Sequence, residues 1–201
     1  MKSRYRYGKP TLDRLQTLED PGRPLAFDAD PGLIAELSQR CDIKSLVGDL
    51  KAKNRQQREA ALRAFGEDLM EATIELADGK YPDRAGEVLE RVARQTGISF
   101  PHRFQRYVEL SIIGSRPLDR WNVAKSTTRE LVVQVFSCAL QKEAQEAGLD
   151  GQTLPCQALC LASFGRATKK TGDTVETDLV KRLPGDEACE FSFVCLRQGS
   201  A

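Results

Sequence analysis

The hydrophobic period of this chain changes near residue 120, and that change limits the possible folds more than any other feature. Before it, apolar residues recur every three or four positions, as they do on one face of a helix. After it, they alternate over short segments rich in β-branched and aromatic residues, which is typical of strands. This order predicts an α+β fold, with an N-terminal helical region followed by an antiparallel sheet packed by one or two helices.

The helical region is predicted to span residues 31–116, after an extended arm over residues 1–30 that is rich in proline and glycine. Its clearest helix runs from about Asn54 to Ala77 and is stopped by an Asp-Gly pair. Two more helices are predicted, one from Pro82 to Gly97 and one from about Arg103 to Ile113. The arm is predicted to be a loosely ordered extension, with two alternatives: it wraps this domain, or it wraps a second subunit in a homodimer.

Residues 117–197 are predicted to form the α+β part. Its strands are predicted at Trp121–Lys125, Glu130–Ser137, Val175–Leu183 and Cys189–Leu196. The second strand is apolar on both faces, which predicts a central position in the sheet. The last two strands flank a Pro-Gly-Asp turn and are predicted to form a hairpin. Two helices are predicted between the pairs of strands, at Ala139–Ala147 and Leu154–Lys170.

Composition excludes several classes of protein. The chain has 201 residues, 40% apolar and 29% charged, which predicts a packed globule rather than disorder. Its net charge of +1 gives no broad basic surface, so we expect neither a nucleic-acid nor a membrane partner. No apolar run approaches the roughly 20 residues that span a bilayer, and no apolar segment follows the basic start as in a signal peptide. We therefore expect a cytoplasmic protein.

Five of the six cysteines lie in the last third of the chain, where they are predicted to be thiols or ligands rather than disulfides. Strand ends and helix starts hold four of them, and these are the candidate metal ligands: Cys138, Cys156, Cys160 and Cys189. Thiolates at such positions are stabilised by free N–H groups and suit zinc or an iron or iron–sulfur centre. The alternative is packing, because free cysteine is often a buried small hydrophobe, and Cys41 and Cys195 are interpreted in that way.

The cysteine-containing half resembles a known family. The matching stretches are Cys138-Ala-Leu-Gln-Lys-Glu-Ala, Leu154-Pro-Cys156, Val175-Glu-Thr-Asp, and Pro184-Gly-Asp-Glu-Ala-Cys189-Glu-Phe-Ser-Phe193. They are similar to the L-2-amino-thiazoline-4-carboxylic acid hydrolase-like family, and the layout also resembles the 4-vinyl reductase domain of small-molecule sensors. The resemblance covers about residues 121–196.

The resemblance implies a small-molecule site in which Cys156 and Cys189 bind zinc together with an acidic residue, Asp178 or Glu176. It also implies an alternative activity, hydrolysis of a cyclic amidine or thiazoline C–N bond. In that activity Cys156 is the nucleophile, and Asp178 orients a water or carries the proton. Alternatively, a metal-bound water attacks the C–N bond. The cysteine that relatives carry on the penultimate strand is absent here, so Cys138 or Cys160 would have to complete four ligands. A third hypothesis is a non-catalytic interaction protein whose cysteines only fill the core.

Several other residues are candidates for a ligand-binding or catalytic site. An apolar pocket is predicted beside the cysteines, with Trp121 and Phe164 as ligand contacts among five possible wall residues: Trp121, Phe136, Phe164, Phe191 and Phe193. Gly165, inside a helix, indicates close packing against the sheet or room for a ligand. His102 is the only histidine and is interpreted as a surface or capping residue rather than a catalytic base. A group of arginines near Tyr107 either binds a carboxylate or forms a solvated helix face: Arg103, Arg106, Arg116 and Arg120.

Overall fold

The computed structural model describes residues 29–115 and 119–197, and it places the side chains of these residues except that of the last one. The predicted arm, residues 1–30, lies outside the described residues except for its last two positions. Within the described part, no helix is both long enough and apolar enough to cross a membrane.

The N-terminal region is helical, as predicted. Its helices are α1 (Pro31–Arg40), α2 (Ile43–Leu50), α3 (Arg55–Glu75), α4 (Arg84–Thr96) and α5 (His102–Ser115). A π-helical turn, Leu76–Lys80, continues α3 through the Asp-Gly pair that was predicted to stop it. The helical segment therefore ends at Lys80, three residues after the Ala77 that the sequence pattern indicates, although α3 itself ends at Glu75.

Side-chain caps fix where α3 and α4 begin. Asn54 accepts a hydrogen bond from the Gln57 N–H at 3.0 Å, and the Gln57 side chain accepts one from the Asn54 N–H, which completes a capping box. Asp83 accepts from the Gly86 N–H at 2.6 Å, so α4 starts after Asp83 and not at Pro82. Gly97 ends α4 with a φ of 69°, as the sequence predicts.

The sheet contains β1 (Arg120–Ser126), β2 (Glu130–Ser137), β3 (Thr174–Lys181) and β4 (Cys189–Arg197). The strand order is β1-β2-β4-β3, and all neighbouring strands are antiparallel. The interior position of β2 and the hairpin of β3 with β4 are confirmed. The α+β fold class is confirmed with them.

Among the described residues, helices cover one face of this sheet and leave the other open. On β2, Leu131, Val133 and Val135 are buried, whereas Phe136, on the opposite face, is 42% exposed. The apolar residues on both faces of β2 therefore predicted its interior position in the strand order correctly. They do not mean that both faces of the sheet are buried.

Helices α6 (Ala139–Glu146) and α7 (Gln157–Thr171) follow the first pair of strands. Helix α7 crosses α3 so closely that a Cβ added at Gly66 would lie 2.1 Å from the Leu159 carbonyl oxygen. A Cβ added at Gly165 would meet nothing within 4 Å. Gly66 and not Gly165 therefore lets the two helices approach, and the open space beside Gly165 leaves room for a ligand as its remaining interpretation.

Two apolar cores result, and each contains residues from both sides of residue 117. The first joins α1, α2 and α3 to α6 and the start of α7. The second lies between α5, α7 and the covered face of the sheet, with Phe104, Phe164 and Phe193 in edge-to-face contact. Because each core contains residues of both regions, the helical region and the α+β part pack against each other and share these cores.

Candidate functional site

The four cysteines predicted as ligands line one small cavity of about 20 Å³. We call it the cysteine cavity. Its lining consists of Cys138, Cys156, Cys160 and Cys189, the apolar residues Val135, Leu140, Leu179 and Phe191, and the polar residues Gln141, Gln157 and Arg182. The structure therefore brings together residues that are up to about fifty positions apart in the sequence.

Element ends place each thiol at the cavity. Cys138 directly follows β2 and is the residue before α6, and Cys156 occupies the same place before α7. Cys160 lies one helical turn after Cys156 and therefore on the same side of α7. Cys189 is the first residue of β4 and pairs with Val135 near the end of β2. The antiparallel register thus sets the end of β2 beside the start of β4.

Nitrogen donors surround the sulfurs of Cys156 and Cys189. Gln141 Nε2 donates a hydrogen bond to Cys156 Sγ at 2.9 Å, and the Leu183 N–H donates to Cys189 Sγ at 3.3 Å. A guanidinium nitrogen of Arg182 lies 4.0 Å from Cys156 Sγ. Both sulfurs are therefore placed as acceptors in a donor-rich part of the structure.

Arg182 also closes the cavity from the β3–β4 hairpin. The same guanidinium nitrogen donates to the Leu154 carbonyl at 2.5 Å and approaches the Gln152 carbonyl at 3.3 Å, in the loop before α7. Arg182 Nε and Gln157 Oε1 are buried and have no hydrogen-bond partner among the described residues. A buried donor and a buried acceptor at one cavity call for an occupant that satisfies them.

The thiols share a cavity without forming a coordination shell. Among the described residues, no group of three or more His, Cys, Asp and Glu side chains is arranged to hold a metal ion. The donor chemistry suits zinc or iron, but the arrangement does not fit such an ion as it stands, since sulfurs bound to one zinc lie about 2.3 Å from it. The zinc or iron–sulfur centre stays a prediction.

The structure does not bring the proposed acid–base residue to the thiols. Asp178 and Glu176 are exposed on β3 and alternate with the half-buried Val175, Thr177 and Leu179, so they lie on the open face of the sheet.

His102 is half-buried at the start of α5, where burial lowers the pKa of its imidazole, and it does not line the cysteine cavity. Among the described residues, neither a carboxylate nor an imidazole lines that cavity. The described lining of the cavity therefore contains no side chain that could act as a general base.

The predicted aromatic pocket is instead mostly packed core. Phe164 is buried, with its ring centroid 5.0 Å from those of Phe191 and Phe193. Trp121 is half-buried on β1 and packs at the edge of the same core, while Phe136 points to the open face of the sheet. Of these five residues, Phe191 lines the cysteine cavity.

The remaining two cysteines are buried in the cores. Cys41 lies in the first core, and burial raises the pKa of its thiol to about 11. Cys195 lies in the second core, beside the aromatic residues. Their surroundings agree with a packing role.

Sequence reasoning missed the polar side chains of the site. Gln141 follows Cys138 by three positions, a helical spacing that places both on one side of α6 and that could have drawn notice. Gln157 directly follows Cys156 in the sequence. Arg182 carried no such signal, because its approach to Cys156 depends on how the hairpin packs against the loop before α7.

Comparison with known proteins adds no relative. No protein-family model, no curated protein and no solved structure matches the chain. The resemblance to the hydrolase-like family therefore stays a prediction that rests on the quoted residues, and function has to be argued from the site.

Proposed function

We propose that this chain is a binding module that holds one small thiophilic ligand in the cysteine cavity, with Cys156 as the main point of attachment. The observation that carries the proposal is the gathering of four of the six cysteines around one cavity. Thiol sulfur is a soft donor, so it selects soft metal ions and compounds with a soft electrophilic atom. These two sources share one chemistry, and the experiment below separates them.

The polar lining supports a bound occupant. Gln141 already donates to Cys156 Sγ, and a hydrogen-bond donor of this kind orients a sulfur that binds a metal or another ligand. Arg182 Nε and Gln157 Oε1 offer one more donor and one more acceptor. A ligand with a polar group would satisfy both, which a purely apolar filling of the cavity would not do.

The size of the cavity limits what binds in the closed form. Its volume of about 20 Å³ suits one atom-sized group, close to the space that a single water molecule needs. A metal ion would fit after the cysteine side chains rotate inward. A larger compound would have to displace Arg182 from the Leu154 carbonyl first, so the hairpin would move when such a compound enters.

Hydrolysis of a cyclic amidine or thiazoline is the second candidate. Cys156 at the start of α7 suits a nucleophile, but a thiol nucleophile needs a base to take its proton or that of the attacking water. The cavity lining supplies none among the described residues, and Asp178 lies on the open face of the sheet. Binding without turnover is therefore the better supported function. A non-catalytic interaction role is the third candidate. It would not explain why four cysteines line one cavity, because they would bind no ligand there.

The test uses the full chain, purified without oxygen and without chelator. Intact mass and elemental analysis show what copurifies, and Cd²⁺ is then titrated while thiolate-to-cadmium absorption is followed in the ultraviolet. We expect one Cd²⁺ per chain if the ligand is a metal ion. If it is a compound, we expect an adduct on Cys156 that appears in the intact mass and blocks Cd²⁺ binding.

Matched alanine variants give the control. Cys156→Ala should weaken Cd²⁺ binding by about a hundredfold or more, because it removes one ligand from a small set. Cys41→Ala should leave it unchanged, because Cys41 does not line the cysteine cavity. Protein that carries no adduct and binds no Cd²⁺ would contradict the proposal, and so would equal binding by both variants. Thiazoline turnover that Cys156→Ala abolishes would favour the hydrolase instead.

A further inference from the structure

A second and larger cavity lies in the helical region. It is a cleft of about 330 Å³ between the π-helical turn, α4 and α5, with Lys170 at the end of α7 on its edge. That volume is at the lower end of the roughly 300–1,000 Å³ of ligand-binding clefts. None of the residues that line the cysteine cavity lines this cleft, so it is a separate site.

Two buried polar side chains form its floor. Arg106 is 5% exposed, and Tyr107 is 4% exposed. The Tyr107 hydroxyl donates to the two carboxylate oxygens of Asp78 at 2.8 and 3.1 Å. Burial, with the nearby Asp78 charge, raises the pKa of Tyr107, so the hydroxyl keeps its proton and remains a donor at neutral pH.

Arg106 is held on the floor by one close carboxylate. A guanidinium nitrogen donates to Asp83 at 3.1 Å, while the other lies 3.7 Å from Asp78, beyond hydrogen-bond distance. A Cβ at Gly86 would lie 3.2 Å from the guanidinium carbon, so the glycine leaves room for this arginine. Burial of a charge costs free energy that ion pairs offset only in part, so stability alone does not account for this placement.

The walls carry both signs of charge in equal number. Arg103 pairs with Glu90 at 3.0 Å, and Lys170 pairs with Asp78 at 3.3 Å. The charged lining comprises the cations Arg94, Arg103, Arg106 and Lys170 and the carboxylates Asp78, Asp83, Glu87 and Glu90. A ligand with one net charge gains little from such a balanced cleft, whereas a zwitterion can pair with both signs.

We propose that this cleft binds a small zwitterion with an apolar side chain, of the size and chemistry of a free α-amino acid such as leucine. Its carboxylate lies toward Arg103 and Lys170, where it competes with Glu90 and Asp78 for these cations. Its ammonium group lies toward the exposed Glu87. Its side chain contacts the apolar part of the lining, which consists of Ala77, Pro82 and Leu89.

The test is an NMR titration of the ¹⁵N-labelled full chain with three matched probes. L-leucine carries both charges, N-acetyl-L-leucine only the negative one, and L-leucinamide only the positive one. We expect saturable shifts with L-leucine at backbone amides of the π-helical turn and the first turns of α4 and α5. The two singly charged probes should bind at least about tenfold more weakly, because each loses one charged hydrogen bond.

Two variants test the two ends of the ligand. Arg103→Gln and Glu87→Gln should each weaken L-leucine binding by about tenfold. Arg63→Gln, on the exposed side of α3, should leave binding unchanged. The proposal would be overturned by the absence of saturable shifts with L-leucine, by equal binding of the three probes, or by unchanged binding in both Arg103→Gln and Glu87→Gln.

Discussion

Substitution of Gly66 by alanine tests the helix crossing that positions the cysteine cavity. The added Cβ would lie 2.1 Å from the Leu159 carbonyl oxygen, whereas ordinary contacts begin at 3.4 Å. The obstacle is backbone, so α3 and α7 have to separate by more than about 1 Å, an overpacking that costs about 3 kcal/mol. Alanine regains about 1 kcal/mol of helix propensity, which leaves a net loss of about 2 kcal/mol in the free energy of unfolding.

Urea unfolding followed by far-ultraviolet circular dichroism measures this loss. Gly165→Ala is the matched control, because Gly165 lies in α7 and a Cβ there would meet nothing within 4 Å. It should stabilise the protein by about 0.5–1 kcal/mol through helix propensity. The two variants thus differ in sign although each replaces one helical glycine of the α3–α7 pair by alanine.

The same displacement should reach the cysteine cavity, because α7 begins directly after Cys156. Iodoacetamide should therefore modify Cys156 faster in Gly66→Ala than in the unchanged chain. A Gly66→Ala protein that is as stable as the unchanged chain, or more stable, would refute the close crossing and the placement of the cavity that follows from it.

Four further predictions follow from individual contacts. The free energy of unfolding should fall by about 2 kcal/mol between about pH 9 and 11. The reason is that the folded state holds the Cys41 proton up to a pKa of about 11, whereas the unfolded thiol loses its proton nearer pH 9. Urea titrations at alkaline pH measure this fall, and its absence in Cys41→Ala is the control. Burial lowers the pKa of His102, so the neutral imidazole contributes to stability above about pH 6.5, and this contribution is lost as the pH falls further. His102→Gln should remove this pH dependence. Tyr107→Phe should cost about 1 kcal/mol in urea unfolding, since Asp78 loses its hydroxyl donor; an unchanged midpoint would contradict that bond. Arg182→Met should speed the alkylation of Cys156 several-fold in a timed mass-spectrometric assay, because the guanidinium no longer joins the hairpin to the loop before α7, and an unchanged rate would show that the cavity is not closed there.

The fold was predictable where one pattern runs over many residues. The change from a helical to an alternating period predicted both halves, and the alternation on β2 predicted its exact bounds, Glu130–Ser137. Element ends were less predictable, because they depend on single side chains. The Asp83 cap moved the start of α4, and the π-helical turn after α3 continued the helical segment past the Asp-Gly pair.

The candidate site was predictable in its cysteines and in Phe191, but not in its polar residues. The predicted elements placed Cys138, Cys156 and Cys189 at element ends and Cys160 one turn into α7. Antiparallel pairing then set the start of β4, with Cys189, beside the end of β2. The facing of Asp178 was not predictable, because alternation on a strand shows which residues share a face but not which face meets the helices. Contacts such as that of Arg182 with the loop before α7 depend on tertiary packing that no local pattern records.

The most direct test of the binding role is the alkylation rate of each of the six cysteines in the native protein, with and without saturating Cd²⁺. The four thiols of one binding site should be protected together, namely Cys138, Cys156, Cys160 and Cys189. Cys41 and Cys195, which are buried and do not line the cavity, should react slowly and at rates that Cd²⁺ does not change. Joint protection of the four cavity cysteines is the result that this account predicts. Unchanged rates, or protection that falls on Cys41 or Cys195 instead, would contradict it.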